Sequence, residues 1–315
     1  MAEAERQFGS MSGEASVLVR PDLSRAARTK QRGYFEQAWM RFRRNRLAVL
    51  SLIVTVLIMA FSYGAPLISH FITHKSYADQ SLLHGLEPPF TDGYILGSDN
   101  LGRDILTRLA YGGRVSMTVG ILATASALLI GVPMGAIAGY YGGLVDSIIM
   151  RLVDILLAFP ALFLLIFVNS LFQVNWIGLA FVIALFSWMG LARLIRGEVL
   201  SLKSRDYVMA ARVLGASDAR VIFRHMVPNL TPIIIVWATL AIPAFILTEA
   251  ALSFLGLGVH VPTPSWGNML NEAQQYLSRA WWLVFIPGFM IYITVLAINL
   301  FGNGLRDALD PRLSD

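Results

Sequence analysis

The chain has no cysteine. That excludes disulfides, thiol nucleophiles and cysteine-ligated metal. Charge is scarce too: 14% of the 315 residues are Asp, Glu, Lys or Arg, against about 25% in an average soluble domain. Lysine is rarest, occurring only as Lys30, Lys75 and Lys203. None of them sits in a G-x-x-x-x-G-K-[ST] loop, so the chain does not hydrolyse nucleotide by that route. There is no H-E-x-x-H, no nucleophile elbow and no recognisable pair of acid/base carboxylates. An enzyme is not expected. His70 and His74 have i, i+4 spacing, but on a polar connection they read as solvated side chains, and no metal or cofactor is expected in this chain.

What is abundant is apolar surface. The chain is 56% hydrophobic with mean hydropathy +0.61. Its length accommodates about six spans of ~20 residues and leaves little for a separate soluble domain. The apolar runs fall at 47–68, 115–140, 148–171, 176–194, 230–254 and 281–301. The expected fold class is all-α: a polytopic membrane protein with six transmembrane helices. Residues 1–33 read as a poorly ordered tail and 34–46 as an amphipathic interfacial helix. Residues 47–305 form the membrane body and 306–315 a second tail. In the interfacial segment Phe35, Ala38, Trp39 and Phe42 share one face, ringed by Arg41, Arg43, Arg44 and Arg46, which suits rings among lipid headgroups. The first span starts too far into the sequence for a usual cleaved signal and reads as a retained anchor.

Orientation follows from the basic residues. If the N-terminal tail is cytoplasmic, inside segments hold eighteen Lys/Arg and outside segments five. That bias follows the positive-inside rule and puts both termini in the cytoplasm. It also accounts for the net charge of +5 without a nucleic-acid partner.

Several features inside or beside the spans are informative. Ala127, Gly131, Gly135 and Gly139 repeat every fourth residue, a face that admits another helix closely. Pro133 is expected to kink that helix. Arg151 and Asp154 are at i, i+3 and are expected to pair locally. Glu249 lies deep in the fifth span. A lone carboxylate there suits a translocation path or gate, and equally a structural hydrogen-bonding role.

Between the fourth and fifth spans runs a polar stretch, "DYVMAARVLGASDARVIFRHMVPN" (206–229). Ser204 can cap a helix with Asp206 in its first turn. Tyr207, Ala210, Ala211 and Leu214 form one stripe. Gly215 suits a left-handed stop. Ser217 and Asp218 can start a second short helix, which Pro228 is expected to end. The expectation is a helical hairpin over 204–228, on the cytoplasmic side. Tethering at both ends argues against DNA binding; small residues around a glycine turn favour docking into a partner's groove.

This segment resembles the coupling motif of ABC importer permeases, E-A-A-x3-G-x9-I-x-L-P. Ala210, Ala211, Gly215 and Pro228 match in register, whereas Met209, His225 and Val227 depart from it. "LGSDNLGRDILTRLAYGGRVSMTVG" (96–120), "GYYGGLVDSIIMRLVDILLAFP" (139–160), "ALSFLGLGVHVPTPSWGNML" (251–270) and "GNGLRDALDPR" (302–312) resemble the dipeptide/oligopeptide/nickel branch, in particular its C-type permease. The resemblance implies one pore half of an importer in the bacterial inner membrane, most readily for di- or oligopeptides. It implies a second permease as heterodimer partner, two cytoplasmic ATPases carrying ATP and magnesium, and an extracytoplasmic binding protein. Asp206, Ala210, Ala211, Arg212, Gly215, Arg224 and Pro228 would then contact or shape the ATPase joint, with Arg220 a further candidate. Residues 97–108 and 262–266 would shape the outer mouth. The competing class is a self-contained secondary transporter or channel, for which the sequence offers no convincing internal repeat.

Overall fold

The computed structural model describes residues 34–309. The expected tail of residues 1–33 and the last part of the second tail lie outside these residues. Among the described residues the regular structure is helical, with two isolated bridges and no strand. Four helices among the described residues are long and apolar enough to cross a membrane, or up to six if each of two bent pairs is one span.

Helix α1 (Tyr34–Arg44) ends before Asn45, whose side chain caps α2 (Arg46–Tyr63) by accepting from the Ala48 amide at 3.1 Å. Trp39 is exposed, but Phe42 is buried beside Ala48 and Ala308, edge-on to Phe301. The basic helix is therefore held by protein packing at Phe42.

Helix α3 (Ile105–Tyr141) is the central element. It begins ten residues before the expected span because Asp104 caps it, accepting from the Thr107 amide at 2.7 Å. At ~1.5 Å per residue its 37 residues reach about 55 Å, well beyond the ~30 Å apolar core of a bilayer. Pro133 lies inside α3 without ending it.

The expected third span is two helices, α4 (Gly143–Leu157) and α5 (Ala161–Phe172), bent by 81°. Pro160 is extended at the break, where it cannot supply the amide a continuous helix needs. The fourth is α6 (Trp176–Leu185) and α7 (Trp188–Lys203), bent by 43°. Helix α8 (Asp206–Val213) opens the hairpin, and α9 (Thr231–Phe254) follows it with Pro243 inside. Helices α10 (Trp266–Ala273) and α11 (Trp282–Leu309) complete the described chain. Helix α11 extends through "GNGLRDAL", so the expected tail is helical as far as Leu309. Its glycines are packing positions: a Cβ on Gly302 would stand 3.1 Å from the Thr239 side chain.

The small face of α3 receives α7. A Cβ on Gly131 would stand 2.9 Å from the Trp188 carbonyl oxygen, and one on Gly139 2.8 Å from that of Arg196. Removing Cβ atoms is what lets the two backbones approach. Around this contact Val119, Ala123, Ala127, Leu179, Ile183 and Ala192 form a buried apolar cluster.

Candidate functional site

The hairpin is built on one end of α3, α7 and α9. Its first helix does not start on a Ser204 cap. Ser204 closes α7 instead, its hydroxyl donating to the Ser201 carbonyl at 3.2 Å, and Arg205 precedes α8 without a side-chain cap. Asp206 occupies the first turn of α8 and is exposed.

Val208 anchors α8. It is fully buried with Ile195 and Val199 of α7 and with Val221, Ile222 and Met226 beyond the turn. Burying a valine stabilises by about 1.5–3 kcal/mol relative to leaving it in water. The stripe picked out by periodicity faces the other way. Tyr207, Ala210 and Leu214 are exposed and Ala211 is half-buried. Met209, Val213 and Leu214 are 46%, 87% and 86% exposed, an apolar surface that the described residues leave uncovered.

Gly215 makes the turn at φ +78°, the left-handed region where a side chain is disfavoured. Its amide donates to the Arg212 carbonyl at 2.9 Å and that of Ala216 to Ala211 at 3.0 Å, which closes the end of α8. The chain re-enters a helix at Asp218–Arg220. Pro228 does not end that helix. A π-turn (Val221–Met226) and a 3-10 turn (Val227–Leu230) carry it into α9, with Pro228 in the first positions of the tighter turn. Proline is tolerated there because the first turn of a 3-10 stretch needs no amide from it for that stretch's own bonds. Arg220, Arg224 and Pro228 are exposed. Arg212 is also exposed but engaged within the chain: its Nε donates to the Tyr140 hydroxyl at 3.2 Å. Tyr140, whose hydroxyl donates to Asp218 at 2.5 Å, was not singled out by the sequence, where Asp218 figured only as a helix start. The available signal was "GYY", two rings directly after the small-residue stripe.

Beside this end, α4 lies along α7. Asp154 pairs with Arg193 and Asp146 bidentately with Arg196. The expected local Arg151–Asp154 pair gives way to these pairs because α7 offers arginines across the helix contact. The Arg193–Asp154 pair is about half exposed, which limits it to roughly 0–1 kcal/mol.

At the other end of α3 a second polar cluster joins segments distant in sequence. Glu272 of α10 accepts from Arg103 at 2.7 Å and from Arg108 at 2.9 Å. Asp99 lies 2.5 Å from the Arg103 Nε and 3.5 Å from that of Arg108. The indole of Trp266 is fully buried and donates to the Leu109 carbonyl at 3.0 Å. Gly113 makes room for it: a Cβ there would stand 2.6 Å from the indole ring. The two stretches expected at one mouth, 97–108 and 262–266, are thus part of one packed unit. Nearby, burial and then the carboxylates Asp104, Asp99 and Glu87 hold the Tyr94 phenol above its ordinary value.

Glu249 is fully buried in the same region. It accepts from the hydroxyls of Ser116 at 2.7 Å and Ser253 at 2.6 Å. Those hydroxyls in turn accept the amides of Trp266 at 3.3 Å and Val259 at 3.0 Å. The geometry favours the structural role over the path-lining one: the carboxylate ties α3 and α9 to the segment leading into α10.

These features define a polytopic helical membrane subunit whose hairpin offers a bare apolar face. Sequence comparison sharpens this class. A family described as binding-protein-dependent transport system inner membrane component matches residues 131–315. The N-terminal TM domain of oligopeptide transport permease C matches residues 33–89. The dipeptide transport system permease protein DppC of Bacillus subtilis is 39% identical over 302 residues, covering 95% of this chain and 90% of that protein. The oligopeptide permease OppC of the same organism is 41% identical over 302 residues, covering 96% and 94%. OppC of Escherichia coli K12 is 39% identical over 292 residues, covering 92% and 95%. The chain belongs to the family of binding-protein-dependent transport system inner membrane components. It is a non-catalytic permease subunit of the bacterial inner membrane, and such a system includes a binding protein and an ATPase.

Proposed function

We propose that the chain is one half of the pore of an ATP-driven importer for di- or oligopeptides. A second, different permease forms the other half. An extracytoplasmic binding protein delivers the substrate, and two cytoplasmic ATPases carry ATP and magnesium. In this reading the bent pairs α4–α5 and α6–α7 each count as one span. The chain then crosses the membrane six times, with both termini and the hairpin in the cytoplasm.

The observation that carries the reading is the hairpin's uncovered apolar face, Tyr207, Met209, Val213 and Leu214, around the left-handed turn at Gly215. An isolated loop has no reason to hold an ordered apolar face toward water, whereas a joint does. The charge bias supports the sidedness. The peptide substrate is supported by relatives named as dipeptide and oligopeptide permeases.

Energy would enter as follows. ATP-driven closure of the ATPase dimer moves the groove in which the hairpin sits. Val208 and its buried neighbours pass that displacement to α7 and α9. The small-residue contact between α3 and α7 keeps these helices moving together, because packed interfaces shift between discrete arrangements rather than deforming continuously. The test is peptide uptake by the reconstituted importer with Leu214→Asp and Val213→Asp, which place charge on the uncovered face. Loss of ATPase co-purification and of uptake is expected. Full uptake with both variants would overturn the reading.

A further inference from the structure

We propose that Tyr140 is a positioning residue that joins the hairpin to α3, so that hairpin displacement reaches the pore half along its longest helix. The proposal rests on the hairpin reading above.

Three observations converge on one side chain. Tyr140 is 2% exposed at the hairpin end of α3. Its hydroxyl donates to Asp218 Oδ1 at 2.5 Å and accepts from Arg212 Nε at 3.2 Å. Arg212 is in the last turn of α8 and Asp218 opens the helix after the turn. A single phenol from a third element therefore grips both arms of the hairpin across Gly215. The Arg212 guanidinium also stacks over the Tyr140 ring, 4.7 Å from its centroid, and Lys203 Nζ lies 5.9 Å from it. The ring face attracts the cations while the hydroxyl bridges the opposite charges of Arg212 and Asp218. Directly before it, Gly139 locks α3 to α7. Tyr140 thus stands where the rigid α3–α7 pair meets the movable hairpin. Phenylalanine cannot replace it, since the bridge needs a group that donates to a carboxylate and accepts from a guanidinium at once.

The test uses the complete importer in proteoliposomes, with both permeases, the ATPases and the binding protein. Peptide imported, ATP hydrolysed and ATPase co-purification are measured for Tyr140→Phe, Asp218→Asn and the double variant. Tyr140→Phe keeps the ring and its packing. The expected result is normal co-purification with about a tenfold drop in peptide imported per ATP, the scale of one charge-assisted hydrogen bond. Asp218→Asn shifts the ratio in the same direction, and the double variant is no worse than the more damaged single variant. An unchanged ratio in Tyr140→Phe, loss of uptake and ATP hydrolysis in equal proportion, or additive losses in the double variant would overturn the proposal. Leu214→Asp separates the two levels. If it abolishes uptake while Tyr140→Phe leaves the ratio unchanged, only the Tyr140 link fails. If it leaves uptake intact, the hairpin reading fails first.

Discussion

Gly139 of α3 lies so close to Arg196 of α7 that a Cβ on the glycine would stand 2.8 Å from the arginine's carbonyl oxygen. The neighbouring atom is backbone, so the contact cannot be relieved by a side-chain rotation. Gly139→Leu is expected to separate the helices and to cost about 1–3 kcal/mol or more. Thermal unfolding of the detergent-solubilised subunit measures this. Gly190→Leu is the control, because a Cβ there meets nothing within 4 Å. Equal stability of the two variants would refute the close-packing account.

The turn residue Gly215 has a different constraint. Nothing lies within 4 Å of a Cβ there, yet φ is +78°. The cost of a side chain is therefore conformational, about 1–2 kcal/mol, and largest for a branched residue. Gly215→Val should reduce uptake strongly and Gly215→Asn mildly, since asparagine tolerates the left-handed region. The order of the two, measured as uptake at equal protein level, separates a backbone effect from a steric one.

Glu249 makes its prediction through the serines around it. Glu249→Leu leaves the hydroxyls of Ser116 and Ser253 without their buried acceptor. Each such group costs about 1–3 kcal/mol. Glu249→Gln keeps an acceptor oxygen and should lie between the wild type and Glu249→Leu in thermal stability. If both variants melt like the wild type but fail to transport, the carboxylate serves the substrate path and not the scaffold.

The four-charge cluster at the other end of α3 is nearly closed off: Arg108 is 1% exposed and Asp99 4%. Arg108→Ala removes one of the two arginines that face Asp99 and Glu272 and should cost about 3–5 kcal/mol. Glu272→Gln leaves both buried arginines facing Asp99 and keeps a carbonyl oxygen that can accept from them. A smaller loss is expected there. Unfolding midpoints of the two variants check the order.

The apolar runs made an all-helical membrane chain legible, because spans must bury their own backbone bonds. The small-residue repeat at 127–139 was legible for the same reason: spacing alone defines a helix face. Helix ends were not. Asp104 starts α3 in a stretch whose glycines and arginines read as a loop, and Pro160 turns an apparent single span into two helices. Both outcomes depend on partners or breaks that hydropathy does not register. In the hairpin, the turn at Gly215 was visible from residue type. The periodic stripe was visible too, but its direction was not, because a stripe facing a partner outside the chain has the same period as one facing the core. The links Tyr140–Asp218 and Arg108–Glu272 join residues 78 and 164 positions apart. No local pattern announces such pairs.

The central claim is that this chain works only as part of an energised assembly, and liposome uptake tests it most directly. Vesicles with this subunit alone should accumulate no peptide under ATP, a proton gradient or a sodium gradient. Vesicles that also hold the second permease and the ATPases, supplied with binding protein, should accumulate peptide when ATP is present. Gradient-driven accumulation by the single chain would contradict the account and favour a self-contained transporter.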